Sequence, residues 1–189
     1  MIAIPVAFFL GALTWSLLEY CIHRWLGHDA RLRPNFFEEE HTRHHAHGDY
    51  FAPAWKKGSA AVLAFAATLV PAVLLVGVAP GLAYAAGLAG FYLFYEVVHR
   101  RAHTHAGFGA YGRWVRRHHF WHHFGDPRVN HGVTSPLWDI AFGTLRKPGV
   151  IVVPVKLAMP WLLDEATGDL REEFAGQYRL RGRRPAAEA

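Results

Sequence analysis

Every lysine and arginine in this 189-residue chain lies outside two long stretches, residues 1–23 and 58–99, and the only charged side chains inside them are Glu19 and Glu96. A water-soluble domain spreads charge along its whole length, so long uncharged runs of this kind mark segments dissolved in lipid. Ile2 to Ile22 is mainly apolar, and about twenty residues at ~1.5 Å rise each cross a hydrocarbon layer ~30 Å thick. No cation precedes this run and no small-residue cleavage site follows it, since it ends Leu18-Glu19-Tyr20-Cys21-Ile22-His23. A cleaved leader is therefore disfavoured. Ser59 to Ala79 and Leu82 to Val98 are two more apolar segments, and Ala79-Pro80-Gly81 between them predicts a tight turn, hence a transmembrane hairpin.

The predicted fold class is all-α: an integral membrane helical protein of about three transmembrane helices, one plus a hairpin, with a helical histidine-rich cap. Residues 1–146 are expected to form the catalytic domain, and 147–189 an apolar interfacial segment followed by a polar tail. Within the latter, Val150 to Leu163 is apolar but broken by Pro154 and Pro160 just after Pro148, which predicts an interfacial or re-entrant piece rather than a fourth span. From about Arg171 onward the composition reads as a largely disordered tail. The hairpin turn carries no cation, whereas residues 24–57 and 100–189 carry all twenty. The positive-inside rule then places the histidine clusters and the C-terminus in the cytoplasm.

The formal net charge of +5 comes from cations flanking apolar runs, so the expected partner is an anionic lipid surface; no nucleic-acid motif is present. The single cysteine, Cys21, excludes an intrachain disulfide and a thiolate zinc cluster.

Fourteen histidines are present, and eleven fall in four short clusters: His23 with His28; His41, His44 and His45; His99 with His103; and His118, His119, His122 and His123. His99 and His103 are four residues apart and share one helical face. The second and fourth clusters repeat His-x-x-His-His, which sets three imidazoles on one stripe, as metal ligation requires. His23 and His28 are five apart, roughly 140° on an ideal helix. Either the helix loosens at Gly27 or the two serve different ions. The first and third clusters end apolar spans and the others lie in the basic regions, so all four are expected to meet at one membrane face. Ten imidazoles, with His118 as a candidate eleventh, are too many for one ion; two ions with about five nitrogens each keep a coordination position open for oxygen activation. No catalytic residue beyond these metal ligands is expected. Glu19 and Glu96, each within a turn of a ligand histidine, are candidate acceptors for its second ring N–H. His47, His105 and His131 stand outside the spacing.

These residues resemble the fatty acid hydroxylase and sterol desaturase superfamily of membrane di-iron enzymes. Glu19 to Arg24 with His28 is similar to its first histidine box, His41 to His45 to the second, His99 to His103 to the third and His119 to His123 to the fourth. Gly132-Val133-Thr134-Ser135-Pro136-Leu137-Trp138-Asp139 with Phe142-Gly143-Thr144 resembles the segment after the last box in the fatty acid 2-hydroxylase branch. The similarity runs over residues ~8–146 in order. It implies two iron ions, for which zinc can substitute in purified samples, O2 as co-substrate, and insertion of one oxygen atom into a C–H bond of a membrane lipid, most simply a fatty acyl chain at its 2-position. Trp25, Tyr95, Trp121 and Trp138 are then candidate entrance residues, or equally an aromatic belt. Branch members often carry a fused haem domain and a further N-terminal span; this sequence starts almost at its first box, so a separate electron-donor protein, haem or iron–sulfur, is expected. His131 stands where the family pattern leads one to expect an aromatic.

Two other readings compete. A carotenoid or sterol-type hydroxylase or desaturase of the same superfamily shares the boxes and differs only in its cavity. A histidine-rich metal transporter should place ligands near mid-membrane, yet residues 59–95 hold no histidine and no charge. The sequence does not fix which residues bind substrate.

Overall fold

A computed structural model describes residues 3–107 and 109–182. Its helices are α1 (Ala3–Cys21), α2 (Phe36–Ala46), α3 (Ala54–Val76), α4 (Val78–Thr104), α5 (Gly109–Phe124) and the short α6 (Leu137–Ala141). Two strands, β1 (Ile151–Pro154) and β2 (Tyr178–Arg181), pair in parallel, Ile151 opposite Tyr178.

Three helical stretches are long and apolar enough to cross a membrane: Ala3–Gly27, Ala54–Val76 and Val78–Thr104. α3 buries none of its residues against protein, and Leu74 and Leu75 are 80% and 82% exposed. A helix apolar all round is stable only where its surroundings are apolar too. α4 lies between α1 and α3 and packs along both. The α3–α4 turn falls at Gly77, whose φ of +87° lies in the left-handed region that glycine enters without steric cost. This corrects the expected turn at Ala79-Pro80-Gly81. Pro80 instead occupies the first turn of α4, where its missing N–H has no intrahelical partner to lose.

α1 and α4 approach to backbone contact. A Cβ added at Gly11 would sit 1.9 Å from the Tyr84 carbonyl oxygen, and one at Gly87 would sit 1.9 Å from that of Phe8. Small residues at such crossings let transmembrane backbones pack closely. Gly11→Val is therefore expected to separate the pair and cost about 1–3 kcal/mol, read as a lower thermal midpoint in detergent; an unchanged midpoint would show that the crossing is not needed.

The all-α expectation omitted the β1–β2 pair, and the C-terminal region differs further. Alternation along β1 turns Ile151 and Val153 inward, where they form one core with Phe120, Met159, Trp161, Leu162, Phe174 and Tyr178. Most of the apolar side chains of Val150 to Leu163 thus pack on protein, with the prolines placed at the strand end and at the start of a 3₁₀ turn, Pro160–Leu162. Phe174 and Tyr178, expected in a disordered tail, are 4% and 0% exposed. Residues 183–189 of that tail lie outside the described residues.

Candidate metal centre

α1 does not stop at Cys21 but continues as a π-helical turn, Ile22–Gly27. Widening the helix to an i→i+5 repeat brings residues five apart onto one face, so His23 and His28 converge. Gly27 allows α2 to approach, since a Cβ there would come within 2.9 Å of the His41 ring. α2 starts on Asn35, whose side chain accepts from the Phe37 and Glu38 N–H groups at 3.0 and 2.9 Å, an N-cap. Tyr50 and Lys56 both donate to the buried Glu40 carboxylate at 2.5 Å, tying α2 to the loop and to the start of α3.

Ten of the histidines gather in two groups, His23, His28, His41, His45 and His122 in the first, and His44, His99, His103, His119 and His123 in the second. Within each group one ring nitrogen per residue lies within 4.8 Å of all the others. Nε2 of His28 is 2.9 Å from that of His122 and 2.8 Å from that of His41. In the second group Nε2 of His103 is 2.9 Å from that of His119, and Nε2 of His99 is 3.1 Å from that of His44. The groups share a wall, the His45 and His123 rings stacked 4.0 Å apart.

The two His-x-x-His-His repeats do not each serve one ion. His41 and His45 join the first group while His44 faces the second; His119 and His123 join the second while His122 faces the first. Each group therefore takes two histidines from the end of a span, an i, i+4 pair from one cap helix, and the i+3 member of the other.

Backbone carbonyls orient the rings. The Nδ1–H of His23 donates to the His131 carbonyl at 2.5 Å, that of His44 to Tyr50 at 2.7 Å, and that of His122 to Val129 at 2.8 Å. Each bond fixes the tautomer that turns the Nε2 lone pair toward the group centre. Glu19 and Glu96 do not take this part. Glu19 accepts from the Val133 and Thr134 N–H groups and the Thr134 hydroxyl, at 2.6, 3.1 and 2.7 Å. Glu96 is ion-paired with Lys57. A residue one turn from a ligand can face the other way, and backbone carbonyls, which no sequence pattern marks, replace them.

His118 lies outside both groups. Its ring stacks on Trp114 at 4.8 Å, and its Nε2 is 3.2 Å from the Asp139 carboxylate. Asp139, 0% exposed, also accepts from the His131 and Gly132 N–H groups at 2.9 Å each and from the Thr144 hydroxyl at 2.7 Å. It thus fixes the loop whose carbonyls hold His23 and His122. Sequence reasoning assigned Asp139 no role, although it is the only acid between Asp126 and Asp164. His131, which stands outside the cluster spacing, is 2% exposed, and its ring packs 5.2 Å from His122 and 5.5 Å from His23.

The donor set fits metal ions. Nε2 of His23 and of His45, and both ring nitrogens of His123, are buried without a hydrogen-bond partner among the described residues. Such orphaned nitrogens are costly unless a cation takes their lone pairs. Burial holds His28 and His44 down to about 4 and His45 to about 2, and puts His41, His119, His122 and His123 well below 6.5. All are neutral imidazoles at neutral pH, the form that ligates. Between 6.5 and about 4 an unfolded chain binds protons that the folded one refuses, so stability and metal retention fall together as pH drops through that window. A metal content and thermal midpoint unchanged from about pH 7 to about pH 4.5 would contradict this.

Comparison with known proteins agrees with this geometry. The family model described as fatty acid hydroxylase matches residues 8–144. The chain is 30% identical over 159 residues to ceramide very long chain fatty acid hydroxylase scs7 of Schizosaccharomyces pombe, covering 75% of this chain and 43% of that protein. It is 32% identical over 161 residues to human fatty acid 2-hydroxylase, covering 75% and 40%. Dihydroceramide fatty acyl 2-hydroxylase FAH2 of Arabidopsis thaliana is 31% identical over 167 residues, covering 79% and 62%. A solved structure, full-length scs7p with only its hydroxylase domain visible, superposes with a TM-score of 0.58 at 28% identity, over 75% of this chain and 57% of that one. The chain spans less than half the length of the first two relatives. With a family model covering its spans, both histidine groups and the Asp139 loop in order, the chain belongs to the fatty acid hydroxylase family.

Proposed function

We infer that the chain hydroxylates a membrane lipid, most simply a fatty acyl chain at the carbon next to its carboxyl end, with two iron ions held by the two histidine groups. The observation that carries this reading is the convergence of ten mostly buried imidazoles, several with unpartnered ring nitrogens, around the ends of apolar helices. His23, His28, His41, His45 and His122 hold one ion; His44, His99, His103, His119 and His123 hold the other. When bound, the metal pair supplies reduction of O2 and transfer of one oxygen atom into a C–H bond, the second atom leaving as water.

The rest of the chain prepares that centre. The carbonyls of His131, Val129 and Tyr50 hold the protons on the outer ring nitrogens, so the inner ones stay free to ligate. Asp139 and Glu19 clamp the loop between them. The phenyl rings of Phe51 and Phe120 pack on His103 and limit water at the second group. Electrons come from a separate donor protein, and the concentration of Lys and Arg in residues 24–57 and 100–189 supports a centre on the cytoplasmic side.

The test is mass spectrometry of lipids from cells with and without the gene, grown under isotopically labelled O2. One labelled oxygen atom per acyl chain is expected, and none with the His122→Ala variant. Label confined to carotenoids or sterols would reassign the substrate within the superfamily. Absence of label from every lipid would overturn the proposal.

A further inference from the structure

The end of α1 fixes a depth scale. His23 follows the first twenty residues of the span Ala3–Gly27, so it sits near the edge of a hydrocarbon layer ~30 Å thick, and Ser16 lies seven residues, ~10 Å, deeper. The segment after the last histidine box reaches back to that depth. The Trp138 indole N–H donates to the Ser16 hydroxyl at 3.1 Å, and the Phe142 ring stacks on Tyr20 at 5.1 Å. A second element shows the same descent, for the Tyr111 ring in the first turn of α5 packs 6.4 Å from Phe94, five residues deeper than His99 on α4.

At this level the outer face of α6 is apolar and bare. Leu137, Ile140 and Phe142 are 45%, 60% and 43% exposed. The face continues through Trp25, whose ring is 6.1 Å from Phe142, onto the uncovered surface of α1. The backbone there is fitted to a medium that offers no hydrogen bonds. Ile140, Phe142 and Gly143 N–H donate to the Pro136, Trp138 and Ile140 carbonyls, Thr144 and Leu145 N–H to the Asp139 carbonyl, and Val133 and Thr134 N–H to Glu19. Arg24 lies 5.8 Å over the Tyr20, Trp25 and Phe142 rings and its guanidinium donates to the Tyr20 hydroxyl at 2.9 Å, so the cation at this rim is partnered by rings and a hydroxyl.

We propose that Leu137–Phe142 is a collar immersed in the cytoplasmic-side leaflet, its Leu137, Ile140 and Phe142 side chains in contact with acyl chains, so that the histidine cap is sunk into the membrane surface rather than resting above it. The occupant of this face is phospholipid. Continuity with the α1 lipid surface and the self-satisfied backbone argue for it, and neither requires an ion to be bound.

The experiment uses the full chain in phosphatidylcholine vesicles. With Cys21→Ser as background, spin labels are placed by Ile140→Cys, Phe142→Cys, Leu13→Cys on α1 and Arg128→Cys on the polar surface, and collisions with O2 and with a water-soluble nickel chelate are compared. Labels at positions 140 and 142 are expected to agree in sign with that at 13, which lies deeper, with O2 collisions exceeding nickel collisions, the reverse of position 128. Nickel-dominated collisions at 140 and 142 would place the face in water, and low collision rates with both reagents would show it covered by protein, such as a second copy; either overturns the collar. Photolabelling of the unmodified chain with an apolar, lipid-partitioned reagent gives an independent reading. Label is expected in residues 137–145, and its absence there, with α3 labelled, counts equally against the collar. Both outcomes are separate from lipid hydroxylation, which can fail or hold with the collar in place.

Discussion

Replacing Asp139 by alanine is expected to cost at least ~3 kcal/mol and to disable the first histidine group while sparing most of the second. One fully buried carboxylate gathers the His131 and Gly132 N–H groups, the Thr144 hydroxyl and His118 Nε2. Its removal leaves all four buried donors without their acceptor, and each such loss to a charged acceptor costs about 1.5–3 kcal/mol before relaxation. The consequence is directional. The loop from Val129 to His131 supplies the carbonyls for His122 and His23, both of the first group, whereas in the second group the His44 Nδ1–H donates to the Tyr50 carbonyl, outside that loop. Loss of an outer-shell partner typically weakens metal binding about 10–100-fold, so titration with metal should show one weakened and one near-normal site. Equal weakening of both sites would mean that Asp139 acts only on global stability. Asp139→Asn keeps part of the acceptor capacity and should fall between.

The second large effect comes from two adjacent residues. His122→Ala and His123→Ala are each expected to abolish turnover, by more than the loss of an outer partner would, yet to empty different sites. His122 is on the first group and His123 on the second, because neighbouring residues on α5 point about 100° apart. If both ions take part, as proposed, loss of either is expected to stop the reaction. If one variant retained activity, only one of the ions would be needed.

Much of this was legible in the residues. The charge-free stretches marked the three spans, since lipid excludes charge whatever the tertiary contacts. Ten of the eleven clustered histidines gather in the two groups, His118 being the exception, because helical spacing constrains which rings can converge. What spacing could not supply was partition: His-x-x-His-His reads as one stripe, but α2 and α5 stand between two groups and give residues to both. The His23–His28 interval left two alternatives open, and the π-helical turn brings both to one group. Contacts made far along the chain were hidden. Glu19 meets Val133 and Thr134, His23 meets the His131 carbonyl, and His118 is claimed by Asp139. Each depends on where a loop lands, not on a local period. The C-terminal region misled for the same reason, since the polar residues around Phe174 and Tyr178 concealed two side chains that complete a core with Phe120 and Trp161.

The most direct test of the two-ion centre is metal content by elemental analysis of protein purified from iron-supplied cells, for the parent chain, His122→Ala, His123→Ala and the double variant. The account predicts two ions per parent chain, one in each single variant and none tightly held in the double. A parent chain holding a single ion, or a His122→Ala variant that keeps both, would contradict it.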